Sequence, residues 1–517
     1  MNSRPDIVLL VLDTHRVDRL SCYGYPRETS PYLDAFAADS TLFRHAVSAA
    51  QWTIPSHSSM FTGLYPSSHN MGEHSSVLSP ILPTLAERLR NAGYFTSGFS
   101  NNLTVGVLNN GLRRGFQRFV NYNGFLSSQS RQARMNPKAF APYLKLFKRQ
   151  LNTNARSLQD TLAHSEGLQN LSFPLYARLG PLLEKMLKTK GNTKKALTDA
   201  AQLLIERKEV DEGQPIFTFI NLMGTHLPYH PPLHFLKRYA SDVLRDKAAR
   251  RYLNHLNTHL QSWMAPLTTD LDEQSKAILD GTYDAEVASQ DEQVGAFLEK
   301  LRSGGALNRT LVIVCADHGE HLGEKQLMGH AFSIYNELTW VPLLIRDPGG
   351  DLPAGVQIEQ FVSTRRIFHT VLAAAGQADP LEESLSLAQT RSAESDPDHG
   401  VVFSEAFPLG NLLHILQQRE PQLVQEHRCD QMRRAVWKGE HKLIQVGDDH
   451  WELYNVFEDP NEKKNLYEAL PEQVRAMQEH LQTFVSHAGV GAPTTDYTIE
   501  YEDPVVLSHL RNLGYLE

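Results

Sequence analysis

Four residues with metal-binding or nucleophilic side chains stand close to apolar segments of the sequence. Asp13 follows IVLLVL, Asp317 and His318 follow TLVIVCA, and Thr53 lies in QWTIPSHSSMFTG. Two carboxylates, an imidazole and a hydroxyl form a mixed ligand set that suits Mn, Mg, Ca or Zn, and the ligand types alone do not choose among these ions. A cation beside Thr53 would favour the deprotonated hydroxyl and create a nucleophile at neutral pH.

Thr53 has two interpretations. It precedes Pro55 at an expected helix start, where free backbone N–H groups favour an anion. A tetrahedral phosphate or sulfate there would meet the metal, the nucleophile and the helix dipole together. The structural alternative is that the Thr53 hydroxyl only caps the helix. The company of Asp13 and Asp317 favours the chemical interpretation.

Four short apolar runs predict strands that are buried on both faces, as in parallel sheets covered by helices. The runs are IVLLVL (7–12), PIFTFINL (215–222), TLVIVCA (310–316) and VPLLI (341–345). Helical patterns lie between the first two runs: SPYLDAFAAD, with Ser30 as its expected N-cap, and LPTLAERLRNAGY, which ends at Gly93. This alternation predicts an open α/β sheet.

Polar side chains follow three of these runs. Asp13 comes directly after the first run, the second continues through MGT to His226, and the third is followed by Asp317 and His318. Ligands of open α/β sheets bind beyond the carboxyl ends of the strands. We therefore expect the three strands to bring these side chains to one edge of the sheet. The structural alternatives are a strand-end turn for Asp317 and His318, and a packed loop histidine for His226.

Two regions differ from this pattern and suggest how the chain is divided. Residues 125–200 are rich in Lys and Arg and have helical spacing, as a helical insertion in a large domain over 1–375 would have. This insertion is either a solvated helical cap or a basic rim that attracts an anionic substrate or lipid headgroups. A polar, Pro- and Asp-rich stretch follows residue 375. Alternating patterns in VVFSEAF, RRAVWKG and HKLIQVG then predict a small antiparallel sheet, followed by a helix over 471–487, in a smaller α+β subdomain over 376–517.

Composition excludes several classes of protein. Of 517 residues, 41% are hydrophobic and 21% are charged, which argues against disorder. The net charge of -9 argues against general nucleic-acid binding, which needs a basic face. Cys22, Cys315 and Cys429 form no CxxC pair, and no run approaches the roughly 20 apolar residues of a membrane span. We therefore expect a cytoplasmic protein without a transmembrane segment.

Several motifs follow one another along nearly the whole chain. They are VLDTHRVDRLSCYGY, TSPYLDAFA, TIPSHSSMFTG, GTHLPYHPP, YDAEVASQDEQVG, ADHGEHLGEKQLMGH, ELYNVFEDPNEKKNL and LRNLGYLE. TIPSHSSMFTG matches the signature C/S-x-P-S-R-x(4)-T-G in spacing, with Gly63 ten residues after Thr53. In this order the motifs resemble the sulfatase branch of the alkaline phosphatase superfamily.

The resemblance implies an alkaline phosphatase-like α/β fold, with a large mixed, mostly parallel sheet covered by helices and a smaller C-terminal antiparallel-sheet subdomain. It implies that Asp13, Asp317 and His318 hold a divalent metal ion, which would be Mn, Zn, Mg or Ca. Thr53 would be a further ligand and the nucleophile. His226 would contact the oxyanion or the leaving group of the substrate.

Five positions depart from the family pattern. Sulfatases need a Cys or Ser that is oxidised to formylglycine, and Thr53 cannot give that aldehyde because its β-carbon carries a methyl group. His57 replaces the family arginine, Thr14 the second aspartate and His318 the common asparagine. His330 lies near where many sulfatases place a lysine and is a candidate substitute. His57 and His330 either orient the substrate or only cap a helix or fill a turn.

We therefore predict a hydrolase that cleaves phosphate diesters or phosphonate esters, which are small anionic substrates, through attack by Thr53. The alternatives are sulfuric ester hydrolysis, phosphoryl transfer to an alcohol, and a non-catalytic family member that binds an anion. Gly224 and Thr225 offer no carboxylate for a second metal, which favours one ion for each active site. The oligomeric state stays open, a homo-oligomer included.

Overall fold

Fifteen strands occur in the residues that the computed structural model describes, which are 4–72, 76–122, 190–258, 266–391 and 395–487. They are β1 (Asp6–Leu12), β2 (Thr41–Val47), β3 (Phe95–Ser100), β4 (Arg118–Asn121), β5 (Ile216–Leu222), β6 (Thr310–Ala316), β7 (His321–Leu322), β8 (Met328–Gly329), β9 (Trp340–Val341), β10 (Leu343–Arg346), β11 (Gln357–Ser363), β12 (Val402–Ala406), β13 (Arg433–Lys438), β14 (His441–Val446) and β15 (His450–Asn455). Nine of them form one sheet in the order β11-β2-β10-β6-β1-β5-β3-β4, with β9 paired to β2. The strands β7 and β8 pair with each other.

β1 lies at the centre of the large sheet, between β5 and β6. It pairs in parallel with both neighbours, so that Leu12 lies beside Leu222 and Ala316. The carboxyl ends of the three strands therefore meet at one edge. These strands are the first three predicted apolar runs, and their arrangement confirms the expected sheet.

The fourth apolar run differs from its prediction. It is divided at Pro342 into β9 and β10, and both segments run antiparallel to β2. β10 also runs antiparallel to β6, with Leu343 beside Cys315. The expectation of a parallel strand is wrong here, because burial on both faces makes a run apolar in either direction. The sheet is therefore mixed but mostly parallel, as the resemblance implies.

Helices cover both faces of the large sheet. Even-numbered residues of β1 join one buried cluster, with the helices Thr193–Glu206 and Glu273–Ser303. Odd-numbered residues of β1 join a second cluster, with the helices Thr53–Thr62 and Arg366–Ala374. Each fully buried aliphatic side chain contributes roughly 1.5–3 kcal/mol to folding. The apolar interior therefore holds the carboxyl edge of β1 rigidly from both sides.

The α-helices within the described residues are short apart from the one that spans 31 residues. They are Pro31–Ala38, Thr53–Thr62, Pro66–His69, Leu85–Asn91, Leu103–Gly106, Thr193–Glu206, Leu233–Tyr239, Ser241–Arg245, Lys247–Thr258, Glu273–Ser303, Asn336–Thr339, Arg366–Ala374, Pro380–Ser384, Gly410–Arg419, Pro421–Glu426 and Pro471–His487. None of the helices in the described part of the chain is long and apolar enough to cross a membrane.

Both predicted N-terminal helices are present, but the first is capped differently from the prediction. Ser30 precedes Pro31–Ala38, yet its hydroxyl donates to Asp34 and accepts the backbone N–H of Ser21, so it accepts no N–H of the helix. The free N–H groups of Tyr32 and Leu33 donate instead to the Asp291 carboxylate. The long helix that contains Asp291 thus supplies the cap that the local sequence lacks. After the second helix Gly93 adopts a φ of 86°, which agrees with its predicted role as a stop.

Only the end of the basic region 125–200 can be described, since residues 123–189 lie outside the described part of the chain. The helix Thr193–Glu206 buries Ala196, Leu197, Ala200 and Leu204 in the cluster beneath β1. This end of the region is therefore a covering helix of the sheet. The interpretation of the remainder as an insertion stays a prediction.

The C-terminal region contains the predicted antiparallel sheet and helix. β12, β13, β14 and β15 form a four-stranded sheet in sequence order. The helix Pro471–His487 packs on it through Val474, Met477 and Leu481. β15 is the strand that the sequence patterns did not indicate. Before this sheet, Glu382 pairs with Arg88 of the large domain at 2.8 Å, and the division of the chain at residue 375 stays a prediction.

Candidate active site

Asp13, Asp317 and His318 converge at the carboxyl edge of β1 and β6. All three side chains are fully buried. The Nε2 atom of His318 lies 3.4 Å from Asp317 Oδ2 and 3.8 Å from Asp13 Oδ1. One ligand atom from each residue lies within 4.8 Å of the others, and this is the group that could hold a metal ion among the described residues.

The protonation of these side chains fits a cation. His318 Nδ1 lies 2.9 Å from the Gly319 carbonyl, which can only accept, so Nδ1 carries the hydrogen and Nε2 carries a lone pair. Burial lowers the pKa of His318 well below 6.5, and the nearby His330 lowers it further. Asp13 Oδ1 and Asp317 Oδ2 have no hydrogen-bond partner among the described residues. Three acceptor atoms thus face one another, as the ligands of a divalent cation do.

Burial also acts on the two carboxyl groups. Burial raises the pKa of Asp13 to about 6, against the opposing effect of hydrogen bonds from Asn102 and Asn221. Burial and the neighbouring Asp13 raise the pKa of Asp317 well above its ordinary value. Two such groups hold full negative charge together only when a positive charge accompanies them.

Hydrogen bonds from an amide side chain and from two backbone N–H groups fix the two carboxylates. Asn102 Nδ2 donates to Asp13 Oδ2 at 2.6 Å. Asp317 Oδ1 accepts from the backbone N–H of His318 at 2.9 Å and of Thr14 at 3.3 Å. Thr14 is held in the left-handed region with a φ of 57°, which is strained for a β-branched residue. The strained backbone therefore aims this N–H at the cluster.

Thr53 belongs to the same cluster. It is the first residue of the helix Thr53–Thr62, and Trp52 is the N-cap. Its buried hydroxyl lies 3.3 Å from His318 Nε2. The hydroxyl therefore points at the possible metal ligands and not at the helix amides, which disfavours the capping interpretation. The N-terminus of the helix faces the same point.

His57 is buried one turn further along this helix. Its Nδ1 donates to the Thr53 carbonyl at 2.9 Å, and its Nε2 faces Asn221 Nδ2 at 3.3 Å. Burial lowers the pKa of His57 to about 4, so the ring is neutral at pH 7. The same Nδ1 lies 3.5 Å from Asp317 Oδ2. His57 therefore braces the start of the helix and does not supply the positive charge of an arginine.

His226 and His330 lie beside the cluster with their rings in contact. The His330 ring centroid is 4.6 Å from that of His318 and 5.2 Å from that of His226. His330 Nδ1 lies 2.8 Å from Glu320 Oε1. Burial opposes the charge of His330, but the pair with Glu320 raises its pKa above 6.5. His226 Nδ1 donates to the Leu227 carbonyl at 2.6 Å, and burial together with His330 lowers the pKa of His226 to about 3.

The structure thus brings together all seven of the predicted site residues. Sequence reasoning missed Asn102, Asn221 and Glu320. Asn102 follows β3, and Asn221 lies near the end of β5 at the same edge of the sheet. This position was the signal that could have identified both residues. Arg16 does not face the cluster, because it pairs with Asp18 at 2.7 Å and with Glu324 at 2.9 Å.

A mostly parallel sheet that carries this ligand set and a hydroxyl at its carboxyl edge defines the alkaline phosphatase-like class of ester hydrolases. The family model described as Sulfatase matches residues 5–377, and the chain belongs to this family. It is 25% identical over 384 residues to an arylsulfatase of Clostridium perfringens, over 71% of this chain and 74% of that protein. It is 22% identical over 525 residues to arylsulfatase K of Canis lupus familiaris, over 96% and 85% of the two chains.

A solved structure with the same fold is the phosphonate monoester hydrolase of Agrobacterium radiobacter. The TM-score is 0.64 at 20% sequence identity, over 97% of this chain and 100% of that one. At this identity the likeness concerns the fold alone. The chain is therefore a sulfatase-family hydrolase of ester bonds, in a family whose members generally use a divalent metal ion.

Proposed function

We propose that the protein is a metal-dependent hydrolase that cleaves phosphate diesters or phosphonate esters with Thr53 as the nucleophile. The observation that carries the proposal is the position of the Thr53 hydroxyl, which is buried at a helix start 3.3 Å from His318 Nε2. Asp13, Asp317 and His318 would hold the ion, and Thr53 would be a further ligand. A bound divalent cation would supply positive charge that favours the deprotonated Thr53 hydroxyl and a nonbridging oxygen of the substrate.

Thr53 separates this chemistry from that of formylglycine enzymes. A threonine hydroxyl is a direct nucleophile, and its attack on phosphorus forms a bond to Oγ1 while the bond to the leaving oxygen breaks. Water then attacks the phosphorus of this covalent phospho-threonine, which still carries the remaining substituent of the substrate, and the bond to Oγ1 breaks and restores the Thr53 hydroxyl. The amides at the start of helix Thr53–Thr62 favour the negative charge that the phosphoryl oxygens carry during both steps.

The two neighbouring histidines suit the proton transfers of these steps. His330 is held by Glu320 and is positioned to donate a proton from Nε2 to the leaving oxygen. His226 carries its hydrogen on Nδ1, toward Leu227, so its other nitrogen suits a hydrogen bond that orients the incoming water. The His330 ring, which gave up its proton in the first step, would take the proton of this water. This assignment gives the leaving group to His330, whereas the sequence interpretation gave it to His226.

Charge balance favours a substrate with one negative charge. His57 and His226 are neutral, and the charge of His330 is paired with Glu320. The two carboxylates of Asp13 and Asp317 would balance a divalent ion. A diester or a phosphonate monoester carries one negative charge, and it fits this surrounding better than the doubly charged phosphate monoester does.

Sulfate esters are the second candidate. They also carry one negative charge, and relatives that cover most of this chain bear the name arylsulfatase. The missing aldehyde precursor at Thr53 weighs against them. Transfer of the phosphoryl group to an alcohol, or anion binding without turnover, would use the same cluster.

A comparison of substrates and of two Thr53 variants tests the proposal. Protein stripped of metal and reloaded with Mn, Zn, Mg or Ca is assayed on p-nitrophenyl phosphate, bis-p-nitrophenyl phosphate, a phenylphosphonate ester and p-nitrophenyl sulfate. We expect the second and third to be cleaved fastest. Thr53→Ala should lower their turnover by about 10³-fold or more while the metal stays bound, and Thr53→Ser should keep part of the activity.

Three results would contradict this expectation. Full activity of Thr53→Ala would exclude the nucleophile. Sulfate as the best substrate would assign the protein to sulfuric ester hydrolysis. Stoichiometric metal binding without turnover of any of the four esters, with or without an added alcohol, would favour a binding role.

A further inference from the structure

A buried ion pair outside the catalytic cluster joins the two ends of the loop that carries His226. Lys190 Nζ lies 2.7 Å from Glu286 Oε1, and the two side chains are 10% and 7% exposed. Lys190 Nζ also donates to the Gly224 carbonyl at 2.8 Å. Glu286 Oε1 accepts the backbone N–H of His230 at 2.6 Å. The pair therefore spans the loop from a point two residues before His226 to a point four residues after it.

Further contacts restrict the middle of this loop. Asn257 Oδ1 accepts the backbone N–H of Tyr229, and Asn257 Nδ2 donates to the Tyr229 carbonyl, each at 2.8 Å. The Lys190 ammonium lies 5.5 Å from the centroid of the Tyr229 ring. The loop is thus held through its backbone at three points, and none of these contacts uses the imidazole of His226.

The pair acts on the loop of His226, and the charge of Lys190 also lowers the pKa of His226. A buried ion pair contributes little net stability, because the cost of desolvation offsets the attraction. Burial raises the pKa of Glu286, and the adjacent Lys190 opposes that effect. Neither residue has a place in the proposed bond-breaking steps. The geometry of the ion pair instead fixes the backbone of the His226 loop to the rigid helix Glu273–Ser303. Supporting contacts of this kind hold a reacting side chain in place.

We propose that Lys190 and Glu286 are positioning residues that hold His226 for the attack of water on the phospho-threonine. This inference rests on the function proposed for Thr53 and His226. If it is correct, loss of the pair slows the second step of the reaction and spares the first, because the first step needs Thr53 and His330 but not His226.

Rapid-mixing kinetics with bis-p-nitrophenyl phosphate separate the two steps. The variants are Lys190→Met, Glu286→Gln and the double variant, each as the full chain in its metal-loaded form. Lys195→Met is the matched control, since Lys195 also pairs with a carboxylate but is 55% exposed. Release of the first p-nitrophenol reports formation of the covalent bond, and steady-state turnover reports its hydrolysis. Mass spectrometry of acid-quenched protein measures Thr53 that carries the p-nitrophenylphosphoryl group left by the first step.

We expect steady-state turnover of each single variant to fall about 10- to 100-fold, while the rate of the first release stays within about threefold of wild type. Thr53 that carries the p-nitrophenylphosphoryl group should accumulate, and the double variant should be no slower than the slower single variant. The control should match wild type. If Lys190→Met fails to fold, Glu286→Gln decides the result.

Other outcomes would overturn the inference. An equal fall in the rates of both steps would indicate a general structural role for the pair. Unchanged turnover would indicate that the pair has no role in the reaction. A wild-type protein that never forms the p-nitrophenylphosphoryl adduct of Thr53 would contradict the proposed function itself. That result is separable, because it concerns the wild type and not the variants.

Discussion

The buried positions of Asp13 and Asp317 make their negative charges energetically unfavourable unless a cation lies beside them. Both are fully buried, and each has one oxygen without a partner in the described part of the chain. Burial raises the pKa of each carboxyl, and their mutual repulsion adds to the effect at Asp317. The same arrangement that would favour a divalent ion therefore destabilises the metal-free protein.

We predict that Asp317→Asn stabilises the metal-free protein and abolishes stabilisation by metal. Removal of one charge relieves the repulsion with Asp13 while the backbone hydrogen bonds to Oδ1 remain. Saturating metal should raise the melting temperature of the wild type, since a ligand at 100 times its dissociation constant contributes about 2.7 kcal/mol. Thermal unfolding in chelator and in excess Mn²⁺ measures both effects.

The control for this prediction is Asp449→Asn, an exposed aspartate that pairs with Arg428. It should change neither value. A metal-free Asp317→Asn protein that melts below the wild type would show that the carboxylate stabilises the site without an ion.

Among individual residues, the sequence predicted those whose side-chain type and position indicate a metal ligand or a nucleophile. Asp13, Asp317 and His318 follow apolar runs, and Thr53 lies in a recognisable motif. The supporting residues could not be found in the same way. Asn102 donates to Asp13 from 89 positions away, and an amide has no spacing pattern that distinguishes this function from a turn.

Among the elements, the small C-terminal sheet reaches the active-site region through β14. Lys442 is fully buried and lies 2.7 Å from the Glu462 carboxylate. Its Nζ donates to the Ile334 carbonyl at 2.8 Å, and Glu462 accepts the backbone N–H of Asn336 at 2.6 Å. These contacts hold the segment that directly follows His330. The C-terminal sheet therefore supports one of the proposed catalytic histidines.

We predict that Lys442→Met destabilises the protein by about 3–5 kcal/mol, because it leaves the Glu462 carboxylate buried without its partner. Turnover should also fall, while metal binding by Asp13, Asp317 and His318 should be unchanged. Urea unfolding and metal titration measure the two properties. Lys438→Met, on the exposed end of β13, is the control. Reduced metal affinity in Lys442→Met would mean that the contact supports the metal ligands and not the segment of His330.

The sequence predicted some strands and not others for a physical reason. β1, β5 and β6 are buried along their whole length and are continuously apolar. β2 contains the half-buried Arg44 and His45, and β4 is a short edge strand that begins with Arg118. Exposure toward the margins of the sheet allows polar residues, which hides the strand pattern. The antiparallel direction of β10 depends on its connection, which the sequence does not encode locally.

Across the whole molecule, several histidines are buried in the neutral state far from solvent. Burial lowers the pKa of His69 to about 3 and has the same effect on His321. In the unfolded chain these groups titrate near 6.5. The unfolded state therefore binds protons that the folded state excludes. The stability that each contributes is full above pH 6.5 and is lost as the pH falls toward the folded value.

We predict that acidification from pH 7 to pH 5 destabilises the wild type more than it destabilises His69→Gln. A single such histidine changes the free energy of unfolding by up to ~1.4 kcal/mol for each pH unit in this range. The difference between the two proteins cancels the contributions of all other groups. Urea unfolding at the two pH values measures it, and parallel pH dependences would show that His69 is protonated in the folded state.

The central position of β1 has a consequence for synthesis of the chain. Thr14 and Asp317, which meet across the site, are 303 residues apart, and β1 has no sheet partner until β5 and β6 exist. At about 5–20 residues per second the ribosome needs roughly 15–60 s to reach β6 after β1. During that time IVLLVL is an exposed, aggregation-prone segment. We expect the first strand to need shielding from other chains until β5 and β6 can pair with it.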